Sequence, residues 1–272
     1  MPRVLLATAL EPAADNAAGF ALAIARAFGE PLTVYHAYGK PSAALGSVPP
    51  EQRGARVDAL MRELVARAAG ATGIGDVDLR YAKGVDYAGD GILGELERGD
   101  YDLLVLGLRD GADAFTTVSE RMLREAECDL LAVPPRATFH GVSQVVFATD
   151  LDDADAVALE KLQRWRERLA AELLVVNVYD SDAGRARAVK RLGQWRERYA
   201  ARHHTAFEAV AGDFDDDILA YVRRRGGDLL AVQSNPAGFF GGLFGGLFGG
   251  GHTRGLAQHI VDVPLLVIRG EG

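Results

Sequence analysis

The chain has 272 residues, of which 49% are hydrophobic and 25% charged, and a formal net charge of −8. That composition excludes general disorder, and the acidic balance excludes a protein whose main task is to coat nucleic acid or anionic membrane. The length allows one large domain or two of about 136 residues, either able to bury a core without disulfides or metal staples.

Among the basic residues, 26 Arg stand against 4 Lys, spread through helical segments among acids and forming no basic patch. The single cysteine, Cys128, offers no internal disulfide and no thiolate metal cluster, which fits a reducing cytosol. The apolar start Val4–Leu10 stops at Glu11 and is too short for a signal-peptide core, so the expected location is cytoplasmic. The uncharged stretch from Leu229 to Thr253 is long enough to span a bilayer. It is broken by Pro236 and many glycines, and no transmembrane helix is expected.

In chain order, short apolar runs fall near 3–9, 32–38, 77–82, 102–107 and 129–133. They return near 144–149, 172–179, 205–211, 228–232 and 264–268. Most lack polar alternation, the pattern of parallel strands buried on both faces. Amphipathic stretches such as 15–28, 57–69 and 155–171 lie between them; the last sets Val157, Leu159, Leu162, Trp165 and Leu169 on an apolar stripe. Strands alternating with helices of this size predict right-handed βαβ units in an open sheet.

The chain is written twice. Leu32-Thr-Val-Tyr-His-Ala-Tyr38 returns as Leu173-Leu-Val-Val-Asn-Val-Tyr179, and Val4-Leu-Leu-Ala-Thr8 returns as Val145-Val-Phe-Ala-Thr149, both at an offset of 141. Tyr101-Asp-Leu-Leu-Val-Leu106 matches Gly227-Asp-Leu-Leu-Ala-Val232 at an offset of 126, so the second copy is shortened by 15 residues between these marks. The shortening lies after the second strand. Copy one carries the proline-rich segment Gly39–Pro50 there, whereas copy two passes almost at once through Ser181-Asp-Ala-Gly. The longer loop is either a lid or partner surface or a neutral insertion. The predicted fold is therefore α/β: two repeated doubly wound domains, each a five-stranded parallel sheet with helices on both faces, Rossmann-like. The boundaries are 1–136 and 142–272, with the proline- and glycine-containing segment Pro134–Val142 as linker.

Open parallel sheets bind ligands at the carboxyl ends of their strands, beside the point where strand order reverses. The candidates are Thr8-Ala9-Leu10-Glu11 and Thr149-Asp150-Leu151-Asp152 after the first strands. After the fourth strands they are Gly107-Leu-Arg-Asp-Gly111 and Gln233-Ser-Asn-Pro236. The acidic run Asp213–Asp217 is placed to cap the next helix, and His36, in a buried strand, is expected to be a satisfied core residue. No Gly-x-Ser-x-Gly, His-Glu-x-x-His or Walker A motif is present, so no catalytic residue and no metal ligand is assigned.

These residues resemble the universal stress protein family in its tandem two-domain form. Strand one ending in Thr149-Asp150, strand two ending in Val178-Tyr179, and the pattern Val118-Ser-Glu-Arg-Met-Leu-Arg-Glu-Ala-Glu-Cys128 carry the resemblance, which extends over nearly the whole chain. It implies an adenine nucleotide α-hydrolase-like fold. In members that bind ATP it further implies an Asp after strand one, backbone contacts at the end of strand two, and a glycine signature after strand four (Gly, two residues, Gly, nine residues, Gly-Ser/Thr). Carried over residue by residue, copy two offers Asp150, Leu151, Asn177, Val178, Gly212, Gln233, Gly250, Gly251 and Thr253, and copy one offers Gly107, Gly111, Thr116 and Thr117. Copy one departs further: Ala9 stands where the Asp belongs, and Gly111 arrives one residue late. In copy two Gln233 and Pro236 replace the first glycines. Gly250-Gly251 come four residues late, an excess matching the duplicated Gly-Gly-Leu-Phe of Gly241–Phe248.

From Gly238 to Gly251 the sequence has eight glycines, four phenylalanines and no charge. Three readings stay open: a loop folded over the sheet edge, an anchor for a protein partner or small hydrophobic ligand, or a phosphate cradle. The resemblance also implies that final strands pair, making an intramolecular pseudo-dimer through Leu130–Val133 and Leu265–Ile268, with a homodimer of chains as an option. The expected function is a stress-response regulatory or binding protein with degenerate nucleotide sites. The alternatives are a sensor of ATP or AMP using the C-terminal domain, and a slow nucleotide hydrolase. No basic cluster is evident at either mouth, so nothing in the charge pattern calls for a strongly anionic ligand.

Overall fold

The computed structural model describes residues 3–11, 14–39, 45–109, 117–199, 204–234 and 262–270. The chain divides into two compact units, Met1–His140 and Gly141–Gly272. The first contains β1 (Val4–Ala7), α1 (Ala14–Phe28), β2 (Leu32–Ala37), α2 (Pro50–Thr72) and β3 (Leu79–Gly84). It continues through α3 (Ala88–Arg98), β4 (Leu103–Gly107), α4 (Thr117–Glu125) and β5 (Asp129–Val133). All pairings are parallel and give the order β3-β2-β1-β4-β5. The second unit contains β6 (Gln144–Ala148), α5 (Asp153–Leu169), β7 (Glu172–Tyr179) and α6 (Asp182–Tyr199). After these come β8 (Thr205–Ala211), α7 (Phe214–Arg225), β9 (Leu229–Ser234) and β10 (Leu265–Arg269), in the order β8-β7-β6-β9-β10. This is the predicted doubly wound architecture, once per copy. In each unit strand order reverses between the first and fourth strands, β1/β4 and β6/β9.

The apolar runs form strands because both of their faces are covered. Leu5, Leu6, Leu103, Leu104 and Val105 in one unit, and Val146, Phe147, Leu230 and Ala231 in the other, are completely buried. The edge strand β3 is only partly buried, as Arg80 and Lys83 in its sequence require. One aspartate fixes the start of the first strand in each copy. Asp102 Oδ2 accepts from the Arg3 amide at 2.9 Å, and its repeat Asp228 accepts from the Ser143 amide at 2.7 Å and the Gln144 amide at 3.1 Å.

Helix α2 starts at the Pro49-Pro50 pair and stops at Gly73, whose left-handed φ of 70° places its amide on Ala69 O. Helix α5 opens on a reciprocal capping box between Asp152 and Asp155. Its buried stripe corrects the expectation in one place. Leu159, Leu162 and Trp165 are buried and Leu169 partly so, but Val157 is 43% exposed. The core-facing row runs through Asp155, Ala158, Leu159, Leu162, Gln163 and Trp165, and Val157 sits off that row by the 100° step of the helix.

No helix among the described residues is long and apolar enough to cross a membrane. The glycine–phenylalanine segment Gly238–Gly251 lies outside the described residues, as do Gly111, Thr116, Gly250, Gly251 and Thr253.

Candidate functional site

The turn after the first strand is built twice on the same hydrogen bonds. In the C-terminal unit the Thr149 amide donates to Val176 O at 3.0 Å, and Thr149 Oγ1 accepts from the Leu151 amide at 2.8 Å. That bond holds Leu151 at a φ of 63°, a left-handed conformation costing a non-glycine residue about 1 kcal/mol. The Asn177 amide group, at the end of β7, donates to Thr149 O at 2.8 Å. In the N-terminal unit the Thr8 amide donates to Tyr35 O at 3.0 Å, and Thr8 Oγ1 accepts from the Leu10 amide at 2.9 Å. Leu10 there has a φ of 57°. His36, the repeat of Asn177, meets Thr8 O at 2.7 Å through Nδ1.

Because a carbonyl only accepts, that contact places the His36 proton on Nδ1 and leaves Nε2 buried without a partner. Burial holds the imidazole below its ordinary pKa, against the Thr8 hydrogen bond that favours the charged form. His36 is therefore a neutral core residue that is half satisfied.

One buried carboxyl supports the turn in the C-terminal unit. The Thr149 hydroxyl donates to Asp155 Oδ2 at 2.5 Å, and the Asp152 amide approaches the same oxygen at 3.4 Å. Burial pushes the Asp155 carboxyl up to about 6 from its ordinary 3.8, with the Asp152 charge adding to the rise and the Thr149 hydrogen bond opposing it. At the offset of 141 the N-terminal copy has Ala14.

Above this turn is a cleft of about 390 Å³ at the carboxyl ends of β6, β7 and β8. It brings together five predicted residues: Asp150, Leu151, Asn177, Val178 and Gly212. Tyr179, Asp180, Asp213, Phe214 and the α6 residues Gly184, Arg187, Ala188 and Arg191 complete its lining. Three neighbouring strands thus each end in a carboxylate, at Asp150, Asp180 and Asp213. No group of three acidic, histidine or cysteine side chains among the described residues is arranged to hold a metal ion.

Strand β7 runs past the end of β6, whose last paired residue is Ala148, opposite Val176. Backbone groups of a strand alternate between its two neighbours. Val176 O faces β6, where it takes the Thr149 amide, while Tyr179 O faces β8, where it takes the Gly212 amide at 3.0 Å. The N–H and C=O of Val178 therefore face the side that β6 has vacated, offering the cleft one donor and one acceptor. A Cβ on Gly212 would press on the Asp217 carboxylate and make it shift. That carboxylate takes the Asp213 amide at 2.9 Å, so the acidic run does cap α7 as its position suggested.

Two arginines that the sequence alone does not place at the site stand at the mouth of this cleft beside its three aspartates. Only Asp180 and Ser181 separate β7 from α6, so the first turns of α6 stand directly over the strand end. Residues 184, 187, 188 and 191 share the face turned to the cleft, following helical spacing. Arg191 Nη1 donates to Leu151 O at 2.6 Å and lies 3.8 Å from Asp153, tying α6 to the Asp150 turn. Arg187 is exposed at the rim and has no hydrogen bond or ion pair with any described residue. The sequence signal was the 15-residue shortening, combined with arginines at i and i+4 on the helix that follows.

The remaining predicted residues are elsewhere. Gln233 lies on β9 opposite Ile268 and is 3% exposed, with Oε1 lacking a partner, and it does not line the cleft. Gly107 is the exposed last residue of β4, and Thr117 the exposed first residue of α4.

Residues 1–134 match the universal stress protein family. No curated protein sequence matches the chain. Among solved structures, a universal stress protein from Archaeoglobus fulgidus DSM 4304 is similar with a TM-score of 0.68 at 15% identity, covering 98% of this chain and 96% of that one. A protein of unknown function from Pseudomonas aeruginosa PAO1 gives 0.67 at 15% identity, covering 99% and 93%. The cytoplasmic domain of a prokaryotic cation chloride cotransporter gives 0.56 at 10% identity, covering 98% and 94%. At these identities the likeness is one of fold.

Proposed function

We propose that this chain, which belongs to the universal stress protein family through residues 1–134, is a cytoplasmic stress-response binding protein that takes an adenine nucleotide in its C-terminal domain. The N-terminal domain keeps the scaffold and has lost the ligand carboxylate, so one of the two sites is degenerate. A single observation carries the reading: the cleft that joins Asp150, the open backbone of Val178, and Gly212. Its volume of about 390 Å³ suits a small organic ligand. In this reading the Asp150 carboxylate accepts from the hydroxyls of a ribose, and the Val178 N–H and C=O read the edge of the base. Leu151, Ala188 and Phe214 supply the apolar wall. Ala9 offers the N-terminal domain no such acceptor.

Calorimetric titration of the full chain with AMP and with ATP tests this. Binding of either that is weakened in an Asp150→Ala variant supports the reading. An affinity left unchanged by that substitution, or no binding at all, overturns it.

A further inference from the structure

We infer that the C-terminal cleft takes up a proton, on Asp155, when it takes its ligand, and so binds more tightly as its surroundings become acidic. The inference rests on the adenine-nucleotide reading and adds to it a means of regulation. Asp155 is 3% exposed, and its carboxylate is built into the turn that presents Asp150. It accepts from the Thr149 hydroxyl at 2.5 Å, is approached by the Asp152 amide at 3.4 Å, and bonds the amide of Asp150 itself. Asp150 lines the cleft. Asp155 supports it from behind and acts on the ligand through the turn.

A carboxylate so buried is costly to ionise. Its hydrogen bonds favour the charged form, yet burial outweighs them and, with the Asp152 charge, holds the group well above the usual carboxylate range. Ionised Asp155 therefore loads the turn, and the load is relieved either by a proton or by opening the turn to water. Leu151, held at a φ of 63°, adds strain in the same sense. A ligand on Asp150 selects the closed turn and covers it, which removes the second route and favours the proton. Reciprocity then makes the protonated protein the tighter binder. The charged groups on the described elements around Asp155 are Asp150 and Asp152 on the turn, Asp153 on α5, Arg187 and Arg191 on α6, and Asp180 and Asp213 at the ends of β7 and β8. Arg191 meets Leu151 O at 2.6 Å and Asp153 at 3.8 Å, so it braces the closed turn from α6. The N-terminal copy has Ala14 in the place of Asp155, and its turn lacks this carboxyl.

The test is calorimetry on the full chain with adenosine, which has no group that titrates near neutral pH, so any slope belongs to the protein. Affinity is expected to rise about threefold or more from about pH 7.5 to about pH 5.5. Titration in two buffers of different ionisation enthalpy should show net proton uptake on binding. Asp155→Asn, and Asp155→Ala, which copies the N-terminal residue, should each flatten the profile and abolish the uptake. These variants separate Asp155 from the six histidines of the chain. Affinity that stays level or falls as pH drops, or binding without proton uptake, overturns the inference and leaves the nucleotide reading intact. So does a slope that persists in both variants. If neither variant binds adenosine, the side-chain carboxyl carbon resonance of Asp155 in the unaltered protein reads the same event by NMR. Its titration midpoint should move to higher pH when adenosine saturates the cleft, and an unmoved midpoint overturns the inference. Failure of adenosine, AMP and ATP to bind the unaltered protein at any pH overturns both.

Discussion

The two domains share one turn and differ in what it carries. Thr8 and Thr149 make the same bonds, to Leu10 and Leu151, and each threonine carbonyl receives a side chain from the second strand, His36 or Asn177. The side chain of the residue between, Ala9 or Asp150, is not among the groups that make these particular bonds. The threonine therefore sets the backbone and the next residue sets the chemistry, so the carboxylate proposed to hold the ligand is replaced by a methyl group with the left-handed turn intact. The second difference lies one element later. Residues 38–49 separate β2 from α2, whereas residues 180–181 alone separate β7 from α6. The short connection is what lets Arg191 bond Leu151 O.

The largest contrast expected between the domains is in acid. Asp155 has a pKa of about 6 when folded, above its ordinary 3.8, so the folded C-terminal domain binds the proton more tightly than the unfolded chain. The associated stability is fully present below about pH 4 and is lost as pH rises through about 6, a change of about 3 kcal/mol. Both tryptophans, Trp165 and Trp195, lie in this domain and are buried, so denaturant unfolding followed by their fluorescence reports it alone. Asp155→Asn is expected to flatten this component; an unchanged slope between pH 4 and pH 6 would break the comparison.

The threonines should separate next. Thr149→Val removes a hydrogen bond to a buried carboxyl and is expected to cost about 2 kcal/mol. Thr8→Val, with Ala14 in place of that carboxyl, should cost about 1 kcal/mol. Peptide-resolved hydrogen exchange over β1 and β6 measures both in one chain, and equal losses would show that Asp155 adds nothing to the turn. The smallest effect belongs to His36→Asn, which copies the C-terminal residue. An asparagine amide can still donate to Thr8 O, and the orphaned Nε2 disappears with the ring, so the net change should stay below about 1 kcal/mol. A larger loss would mean that packing of the ring, and not its Nδ1–H, holds the N-terminal turn.

Much of this was legible in the sequence. Most described strands lie where an uninterrupted apolar run stands, because burial on both faces leaves no polar alternation to blur the signal; β3 and β8, only partly buried, carry Arg80, Lys83 and Glu208 within theirs. The repeat then fixed which residues correspond, and Asp150, Leu151, Asn177, Val178 and Gly212 do meet in one cleft. What escaped depends on where elements start relative to one another. Arg187 and Arg191 enter the site because α6 begins two residues after Asp180. The order of residues shows that shortening but not the face the helix turns inward. By its correspondence with Gly107 the sequence makes Gln233 a strand-end ligand, yet β9 continues to Ser234 and packs Gln233 into the sheet. The burial of Asp155 has only a faint sequence signal, the capping-box spacing of Asp152 and Asp155 ahead of an apolar stripe.

The central claim is that one ligand binds per chain and that Asp150 holds it. Titration of the full chain with AMP in a calorimeter, repeated on Asp150→Ala, tests it directly. The account predicts a stoichiometry of one ligand per chain and an affinity lowered about tenfold or more by the substitution, the loss of a charged hydrogen bond. Two ligands per chain, or an unchanged affinity in Asp150→Ala, would contradict it.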